Sequence, residues 1–357
     1  MNIYYFNPDN DLALANGDEH YTPTPMARQL QQDLQLLPCW IAEPGSMVLC
    51  DDASHQGWAD QHRLDVRVIT PSDLPGIKDA TLRPWGWSPA MRWRFLRWGI
   101  HESLLPSGEQ IERWRALSHR RTSITIHNRI NEILGRKFCP TPVELDNIDD
   151  ILHFAQLHPQ CFVKEPWSGS GHGIYRALNA NGRDFVQRCT GALNRQGSML
   201  CEQAYDRTLD FAVELECRKG TTQVIGYSIF QNDFHLQYSH GKVDKNENLR
   251  KTIVSQFADF HLIESAIVKV IGELLSPDYD GYVGIDMLTY REHDNNIGIN
   301  PCVELNLRTT MGAVTAALGD RHNMNGIFSI IPSEHLNAND IPLTPTNNKW
   351  VAVIKPI

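Results

Sequence analysis

The chain has 357 residues, about twice a typical domain, which predicts two or three compact units. Apolar residues make up 41% and charged residues 21%, with a mean hydropathy of −0.36, which excludes a generally disordered chain. The 33 Lys and Arg against 42 Asp and Glu give a net charge of −9. This acidic balance argues against a nucleic-acid binder and against binding to an anionic membrane.

Targeting signals and cysteine motifs are missing from the sequence. The first twenty residues lack a basic start and a sustained apolar run. No apolar stretch approaches the roughly 18 residues that a membrane span needs. The eight cysteines form no CxxC or Cys/His cluster, so neither a zinc site nor a disulfide framework is indicated. The sequence therefore predicts a cytoplasmic protein with reduced thiols.

The first 117 residues predict an open α/β layer. Strands are predicted at 2–6, 47–49 and 66–69, with a polar loop after the first strand and a helix at 26–37. Ser88 and Pro89 indicate a second helix start, and 104–110 is predicted as a linker. Asn7, Asp9 and Asp11 have EF-hand spacing, but Leu12 stands where the calcium loop needs glycine. A substrate-binding loop fits that position better.

The rest of the chain continues the α/β pattern. A helix is predicted at 124–134, strands at 161–163, 199–201, 211–216 and 223–229, and a polar loop at 239–251. A packed amphipathic helix is predicted at 261–275, followed by strands at 283–289 and 303–307. The predicted units are 1–117, 118–201 and 202–357.

A glycine-rich turn follows the strand that ends at Lys164. Glycines stand at 169, 171 and 173, where they let backbone N–H groups approach an anion. The spacing matches neither GxxxxGK[ST] nor GxGxxG, so a P-loop or Rossmann site is disfavoured. A tight hairpin turn without a ligand is an equally good interpretation of the turn alone.

Two downstream strands carry acidic and amide side chains. Glu304, Asn306 and Arg308 alternate with apolar residues and so share one face. With Asp286 from the neighbouring predicted strand, they supply the hard oxygens that Mg²⁺ prefers. A solvent-facing side of a half-buried strand is the alternative.

The order lysine, glycine-rich loop, hinge, Asp and Glu-x-Asn resembles the ATP-grasp superfamily of ATP-dependent ligases over residues 118–312. The resemblance implies an ATP-grasp fold behind an N-terminal α/β domain. It also implies ATP and Mg²⁺, or Mn²⁺, as cofactors. The metal ligands it implies are Asp286, Glu304 and Asn306, and the catalytic residues are Lys164 and Arg308.

The resemblance also implies a set of nucleotide contacts. Lys164 would hold phosphates under the loop, Asp210 would bind ribose, and 202–205 would be the hinge at adenine. A second lysine is usual at the start of this unit, but arginine stands there, so the phosphate geometry differs. The full set of implied nucleotide contacts is Arg120, Arg121, Lys164, Ser168, Gly169, Ser170, Gly171, His172, Gly173, Glu202, Gln203, Ala204, Tyr205 and Asp210.

The implied activity is a ligase that activates a carboxylate as an acylphosphate for attack by an amine or another nucleophile. It forms a C–N bond, or less readily a C–S bond, between a small-molecule or peptide carboxylate and a nucleophile. A homo-oligomer is compatible with the sequence. Two alternatives stay open: an inactive ATP-binding regulatory or scaffold protein, and an ATP-dependent small-molecule kinase on the same fold.

Overall fold

The fold is taken from a computed structural model, which describes residues 1–169, 171, 173–177, 182–233, 236–276, 278–292 and 294–357. Within those residues, none of the helices combines the length and apolarity needed to cross a bilayer. The eight cysteines are all buried and free.

Four parallel strands form the first sheet, in the order β3-β2-β1-β4. The direction of chain progression reverses between β1 and β4, and the crevice at such a point is where open α/β sheets bind ligands. The elements are β1 (Asn2–Tyr5), α1 (Asn10–Asn16), α2 (Pro25–Leu34), β2 (Ser46–Leu49), α3 (Gln56–Gln61), β3 (Val66–Ile69), β4 (Thr81–Pro84) and α4 (Pro89–Arg97).

Four antiparallel strands form a small second sheet, here called the cap sheet, in the order β5-β8-β6-β7. Two helices precede it along the chain. The elements are α5 (Gly108–Leu117), α6 (Thr122–Leu134), β5 (Val143–Leu145), α7 (Ile148–Leu157), β6 (Cys161–Lys164), β7 (Ile174–Arg176), α8 (Arg183–Gln196) and β8 (Met199–Gln203).

Eight strands form the large sheet, in the order β13-β12-β9-β10-β11-β14-β16-β15. Helix α10 buries the apolar stripe that its period of 3.6 predicts. The elements are β9 (Asp206–Arg218), β10 (Thr221–Asn232), β11 (Tyr238–Val243), α9 (Asn246–Gln256), α10 (Phe260–Leu275), β12 (Gly281–Arg291), β13 (Ile297–Asn306), α11 (Met311–Asp320), β14 (Gly326–Pro332), β15 (Ile341–Pro342) and β16 (Trp350–Lys355).

The mixed α/β class is confirmed, and most predicted elements are present. Three loop predictions are wrong. The region 239–251 contains most of β11 and the start of α9, because β11 pairs with two strands and α9 buries Leu249 and Ile253. The region 104–110 includes the start of α5, which Ser107 caps. The polar segment after β1 contains α1.

The domain boundaries stay a prediction, and strand β8 runs across the one at 201/202. The first sheet and the large sheet are joined directly. The main-chain N–H of Thr309 donates to the carbonyl of Trp85 at 2.7 Å. Close by, Arg83 and Glu216 form a buried ion pair at 3.2 Å. These two contacts fix the crevice of the first sheet against the large sheet.

Candidate active site

The large sheet places its polar side chains in rows facing the cap sheet. On β9, Asp210 and Glu214 stand four positions apart in the sequence and therefore share a face. They lie about 13 Å apart along the strand. Asp286 on β12 lies opposite Ala212, between them. Glu304 on β13 lies opposite Asp286. The register thus places Asp286 and Glu304 in one row, with Asp210 one row away on one side and Glu214 one row away on the other.

The predicted metal ligands meet as the sequence suggested. Asn306 lies one row from Glu304 and Asp286, beside Gly284. Burial, followed by the charge of Glu304, raises the pKa of Asp286 to about 7, while Arg308 and a hydrogen bond with Asn306 oppose the rise. A bound cation would remove this unfavourable crowding of negative charge.

The chemistry of these three side chains fits Mg²⁺, since all offer hard oxygen donors. The number of carboxylates is small, however. Among the residues described, no group of three or more His, Cys, Asp and Glu side chains is arranged to hold a metal. A magnesium ion here would therefore need further oxygens, such as those of a nucleotide phosphate.

Arg120 occupies the position expected of the second nucleotide-binding lysine. Its guanidinium is buried and donates to both carboxylate oxygens of Glu304, at 3.0 and 3.2 Å. It also donates to the carbonyl of Glu165 at 2.8 Å and to the hydroxyl of Ser168. Arg120 thus connects the glycine-rich turn to a predicted metal ligand. Arg121 lies outside the cleft, because its guanidinium pairs with Glu144 at 2.9 Å.

Lys164 ends β6 and is buried in the roof of the cleft. Its ammonium group pairs with Glu202 Oε1 at 2.5 Å. The other oxygen of Glu202, Oε2, is buried without a hydrogen-bond partner.

The glycine-rich turn packs tightly against its surroundings. Gly171 and Gly173 have φ of +77° and +65°, a conformation that favours glycine. A Cβ atom added to Gly169 would overlap the carboxylate of Asp11, and one on Gly171 would overlap the carbonyl of Leu236. The predicted contacts Ser170 and His172 lie outside the described residues.

The predicted hinge lies behind the cleft. Glu202 and Gln203 are the last residues of β8, and the N–H of Ala204 donates to the carbonyl of Gln160 at 2.9 Å. The Tyr205 ring packs on Tyr290, with centroids 4.3 Å apart. None of the four is among the described residues that line the cavity.

Asp210 does line the cavity, and it pairs with Arg207 at 3.2 Å. Burial raises its pKa, although the charge of Arg207 opposes this shift. The carboxylate therefore stands at the cavity wall, while its contact with a ribose and the position of the hinge at adenine stay predictions.

Arg308 is held from both sides. Its Nε donates to the two carboxylate oxygens of Asp11, at 2.9 and 3.0 Å, and its Nη2 donates to Asn306 Oδ1 at 3.0 Å. Asp11 comes from α1, next to the first sheet. No sequence pattern predicts this partner, because nothing in the spacing links residues almost 300 positions apart.

Glu214 was also missed. Its side chain is buried, and Thr310 donates a hydrogen bond to its Oε2 at 2.7 Å. Burial raises the pKa of Glu214 to about 8. The signal that could have found it is alternation, since Glu214 shares the face of Asp210 along one strand.

A cavity of about 350 Å³ lies between the cap sheet, the large sheet and the crevice of the first sheet. One end is lined by apolar side chains from both sheets, namely Phe162, Ile174, Met287 and Val303, with Lys164, Arg207 and Asp210 beside them. We call it the nucleotide end, after the sequence-based prediction that Lys164 and Asp210 contact a nucleotide. The other, here called the far end, is lined by Phe6, Leu34, Trp85, Glu214, Tyr238 and Ile330. The metal candidates lie between the two.

Similarity to known proteins is found at the level of the fold. No protein-family model and no curated protein matches the sequence. The structure is similar to a biotin carboxylase–β,γ-ATP complex from Campylobacter jejuni, with a TM-score of 0.51 and 10% identity over 99% of this chain and 87% of that chain.

Two other solved structures give lower scores. The biotin carboxylase domain of a Hydrogenobacter thermophilus 2-oxoglutarate carboxylase, in complex with MgADP, aligns with a TM-score of 0.49 and 12% identity over 99% of this chain and 86% of that chain. An ADP complex of N5-carboxyaminoimidazole synthetase from Staphylococcus aureus aligns with a TM-score of 0.47 and 11% identity over 87% of this chain and 93% of that chain.

The first of these alignments carries the conclusion, and with so few identical residues it concerns the fold alone. The order of motifs from Lys164 to Asn306 independently resembles the ATP-grasp superfamily. The chain has the fold of the ATP-grasp superfamily.

Proposed function

We propose that the protein is an ATP- and Mg²⁺-dependent ligase that activates a carboxylate and joins it to an amine. The observation that carries the proposal is the placement of opposite charges across one cavity. Lys164 lies in the roof, and Asp286, Glu304 and Asn306 lie on the floor. A ligand that fits between them carries negative charge toward the roof and metal-binding oxygens toward the floor. A nucleoside triphosphate with a divalent cation meets both requirements.

The nucleotide end suits the rest of ATP. Phe162 and Ile174 above, with Met287 and Val303 below, offer apolar surfaces between which a flat base can stack. Asp210 would accept hydrogen bonds from the ribose hydroxyls. Lys164 would hold phosphate oxygens as a point charge once it leaves Glu202.

Asp286, Glu304 and Asn306 would hold Mg²⁺, which supplies charge neutralisation at the transferred phosphoryl group. Glu304 can bind the metal ion only if Arg120 releases it, since Arg120 donates hydrogen bonds to both of its carboxylate oxygens. Arg308, fixed by Asp11, would stabilise the charge that develops on the substrate carboxylate. ATP–Mg²⁺ binding and the rearrangement of Arg120 are thus coupled in this proposal.

The test is a calorimetric titration of ATP with and without Mg²⁺, on the wild type and on Glu304→Ala. We expect Mg²⁺ to strengthen ATP binding to the wild type, and the substitution to remove that gain. Glu132→Ala is the matched control, because Glu132 is an exposed carboxylate on α6. Binding that is independent of Mg²⁺, or equal in both variants, would refute the assigned metal ligands.

A screen of amino acids and peptides for ADP release then tests the reaction itself. Activity that needs both an acid and an amine supports the ligase, whereas a phosphorylated product from one substrate would identify a kinase. No ADP release with any pair, despite Mg²⁺-dependent binding, would refute the ligase.

One observation favours a second candidate, an ATP-binding regulatory protein without turnover. Arg120 stands where the superfamily usually has lysine, and it occupies the predicted metal ligand Glu304. In that case Arg120→Lys would not create activity, whereas in an active ligase the variant would alter the Mg²⁺ dependence of ADP release.

A further inference from the structure

The far end of the cavity contains a carboxylate that forms no ion pair with a basic side chain in the part of the chain that the structure describes. Three of the other four acids that line the cavity form ion pairs: Asp11 with Arg308, Asp210 with Arg207, and Glu304 with Arg120. The fourth, Asp286, belongs to the predicted metal site and has a hydrogen bond with Asn306. Glu214 accepts one hydrogen bond, from Thr310 to Oε2, and its Oε1 has no hydrogen-bond partner among the described residues. Arg308 is near enough to lower its pKa, but donates its hydrogen bonds elsewhere.

Two glycines make room for this carboxylate. A Cβ atom added to Gly312 would overlap Glu214 Oε1, and one added to Gly284 would lie 3.2 Å from Glu214 Oε2. Gly284 lies directly opposite Glu214 on the neighbouring strand. The carboxylate therefore fills a space that exists only because both neighbours lack side chains.

A second unpaired polar group faces the same end. The hydroxyl oxygen of Tyr238 is buried and has no hydrogen-bond partner. Burial raises the pKa of this phenol well above its usual range, and the charge of Glu214 adds to the rise. Ser228, on β10, is a further hydroxyl in the lining. A buried phenol and a carboxylate oxygen at the cavity wall, neither of which has a hydrogen-bond partner among the described residues, indicate a ligand.

The remainder of the far end is apolar. Phe6, Leu34 and Trp85 belong to one buried cluster, and Tyr238 and Ile330 pack against it. Phe6 and Trp85 directly follow β1 and β4, at the point where the order of the first sheet reverses. An apolar wall next to a lone carboxylate fits a ligand with a positive group and a hydrocarbon chain.

We propose that the far end binds an amine substrate whose ammonium group lies against Glu214 and whose apolar chain lies against Phe6, Leu34 and Trp85. A metal ion fits Asp286 and Glu304, one row away, better than the far end, where Glu214 is the one carboxylate among the described lining residues. Only one part of this inference rests on the proposed function, namely the role of the amine as the nucleophile. The binding itself can be measured without ATP.

The probe is n-hexylammonium, with 1-hexanol as the neutral compound of equal chain length, titrated calorimetrically into the full chain. We expect the wild type to bind the amine at least tenfold more tightly than the alcohol. In Glu214→Gln, which keeps an oxygen to accept from Thr310, this ratio should fall to about one. Glu247→Gln, an exposed carboxylate on α9, should leave it unchanged. An unchanged ratio in Glu214→Gln would overturn the proposal.

A second measurement needs no substitution. Along a series from propylammonium to hexylammonium, affinity for the wild type should rise roughly threefold per added carbon, as expected for burial of a CH₂ group. A flat series would overturn the apolar part of the site. Displacement of hexylammonium by Mg²⁺ alone would make the far end a metal site and would also overturn the proposal.

The ATP titration described above is run on the same wild-type preparation. If ATP–Mg²⁺ binds and the amine does not, this inference fails and the proposed function stands. If the amine binds and ATP does not, the proposed function fails and the amine site stands. The two failures are therefore distinguishable.

Discussion

The two ends of the cavity differ in how their charges are balanced. At the nucleotide end, Lys164 and Arg207 each face a carboxylate of the protein, Glu202 and Asp210 respectively. At the far end, Glu214 has a hydroxyl neighbour and no basic partner. At the nucleotide end, a basic side chain can leave its carboxylate and bind an incoming anion. At the far end, burial keeps the unpaired acid Glu214 neutral until a cation binds. The two ends of one cavity would therefore suit ligands of opposite charge.

The largest expected effect comes from breaking a pair at the nucleotide end. Lys164→Met leaves Glu202 buried without its counter-ion, which should lower the free energy of unfolding by about 3–5 kcal/mol. ATP affinity should fall as well. Chemical denaturation and ATP titration measure the two effects. The matched control is Lys251→Met, which removes an exposed lysine.

The double variant Lys164→Met/Glu202→Gln separates the two roles. We expect it to recover most of the lost stability, because no uncompensated charge remains, but not the ATP affinity. Full recovery of ATP binding in the double variant would show that Lys164 serves only to neutralise Glu202.

The next effect is a pH dependence of stability from the far end. Burial raises the pKa of Glu214 from 4.5 to about 8, so the folded protein holds a proton that the unfolded chain has released. The stabilisation from this proton is complete below about pH 4.5 and is lost as the pH rises through 8. Between pH 5.5 and 7.5 the loss should approach roughly 1.4 kcal/mol per pH unit.

Denaturation of the wild type and of Glu214→Gln across this range isolates the effect. As the pH rises, the free energy of unfolding of the wild type should fall steadily relative to that of Glu214→Gln. Asp286 contributes a slope of the same sign in both proteins, because burial raises its pKa as well. Parallel curves for the two proteins would contradict the assigned state of Glu214.

A smaller effect is expected from filling the space beside Glu214. Gly312→Ala places a methyl group against Oε1, and should destabilise the fold by about 1–3 kcal/mol through overpacking. Binding of hexylammonium should weaken while ATP binding changes little. Gly108→Ala is the control, since an added Cβ there meets nothing within 4 Å.

The smallest expected effect comes from Thr310, which donates to Glu214 and caps α11 by accepting from the N–H of Ala313 at 3.0 Å. Thr310→Val should cost about 1 kcal/mol, the usual size of a lost cap. Thr310→Ser keeps the hydroxyl and should stay close to the wild type in thermal unfolding. Equal losses in both variants would point to packing of the methyl group instead.

The sequence predicted the structure best where the short repeat of a strand or a helix decides which side chains share a face. Alternation along β13 placed Glu304 and Asn306 on one face, and their register with Asp286 followed from the neighbouring strand. The helix α10 was predicted for the same reason, since its apolar residues recur at helical spacing. These are local patterns that the chain carries within a few residues.

The sequence predicted poorly where distant segments meet. The pairing of Arg308 with Asp11 joins residues from opposite ends of the chain. The pairing of Arg120 with Glu304 depends on how α6 lies against β13. The region 239–251 was predicted as a loop because polarity hid β11, whose place is determined by pairing with β10 and β14. Such features follow from topology and not from local composition.

The hydrogen bond between Thr309 and Trp85, together with the ion pair of Arg83 and Glu216, has a mechanical consequence. Both connect the first sheet to the strands that form the floor of the cavity. Rigid-body opening along that seam would have to break a main-chain hydrogen bond and expose a buried charge pair. The cap sheet has no such anchor to the first sheet among the contacts described above except through the glycine-rich turn. Hinge motion should therefore move the cap sheet, so that the far end keeps its shape while the nucleotide end opens and closes.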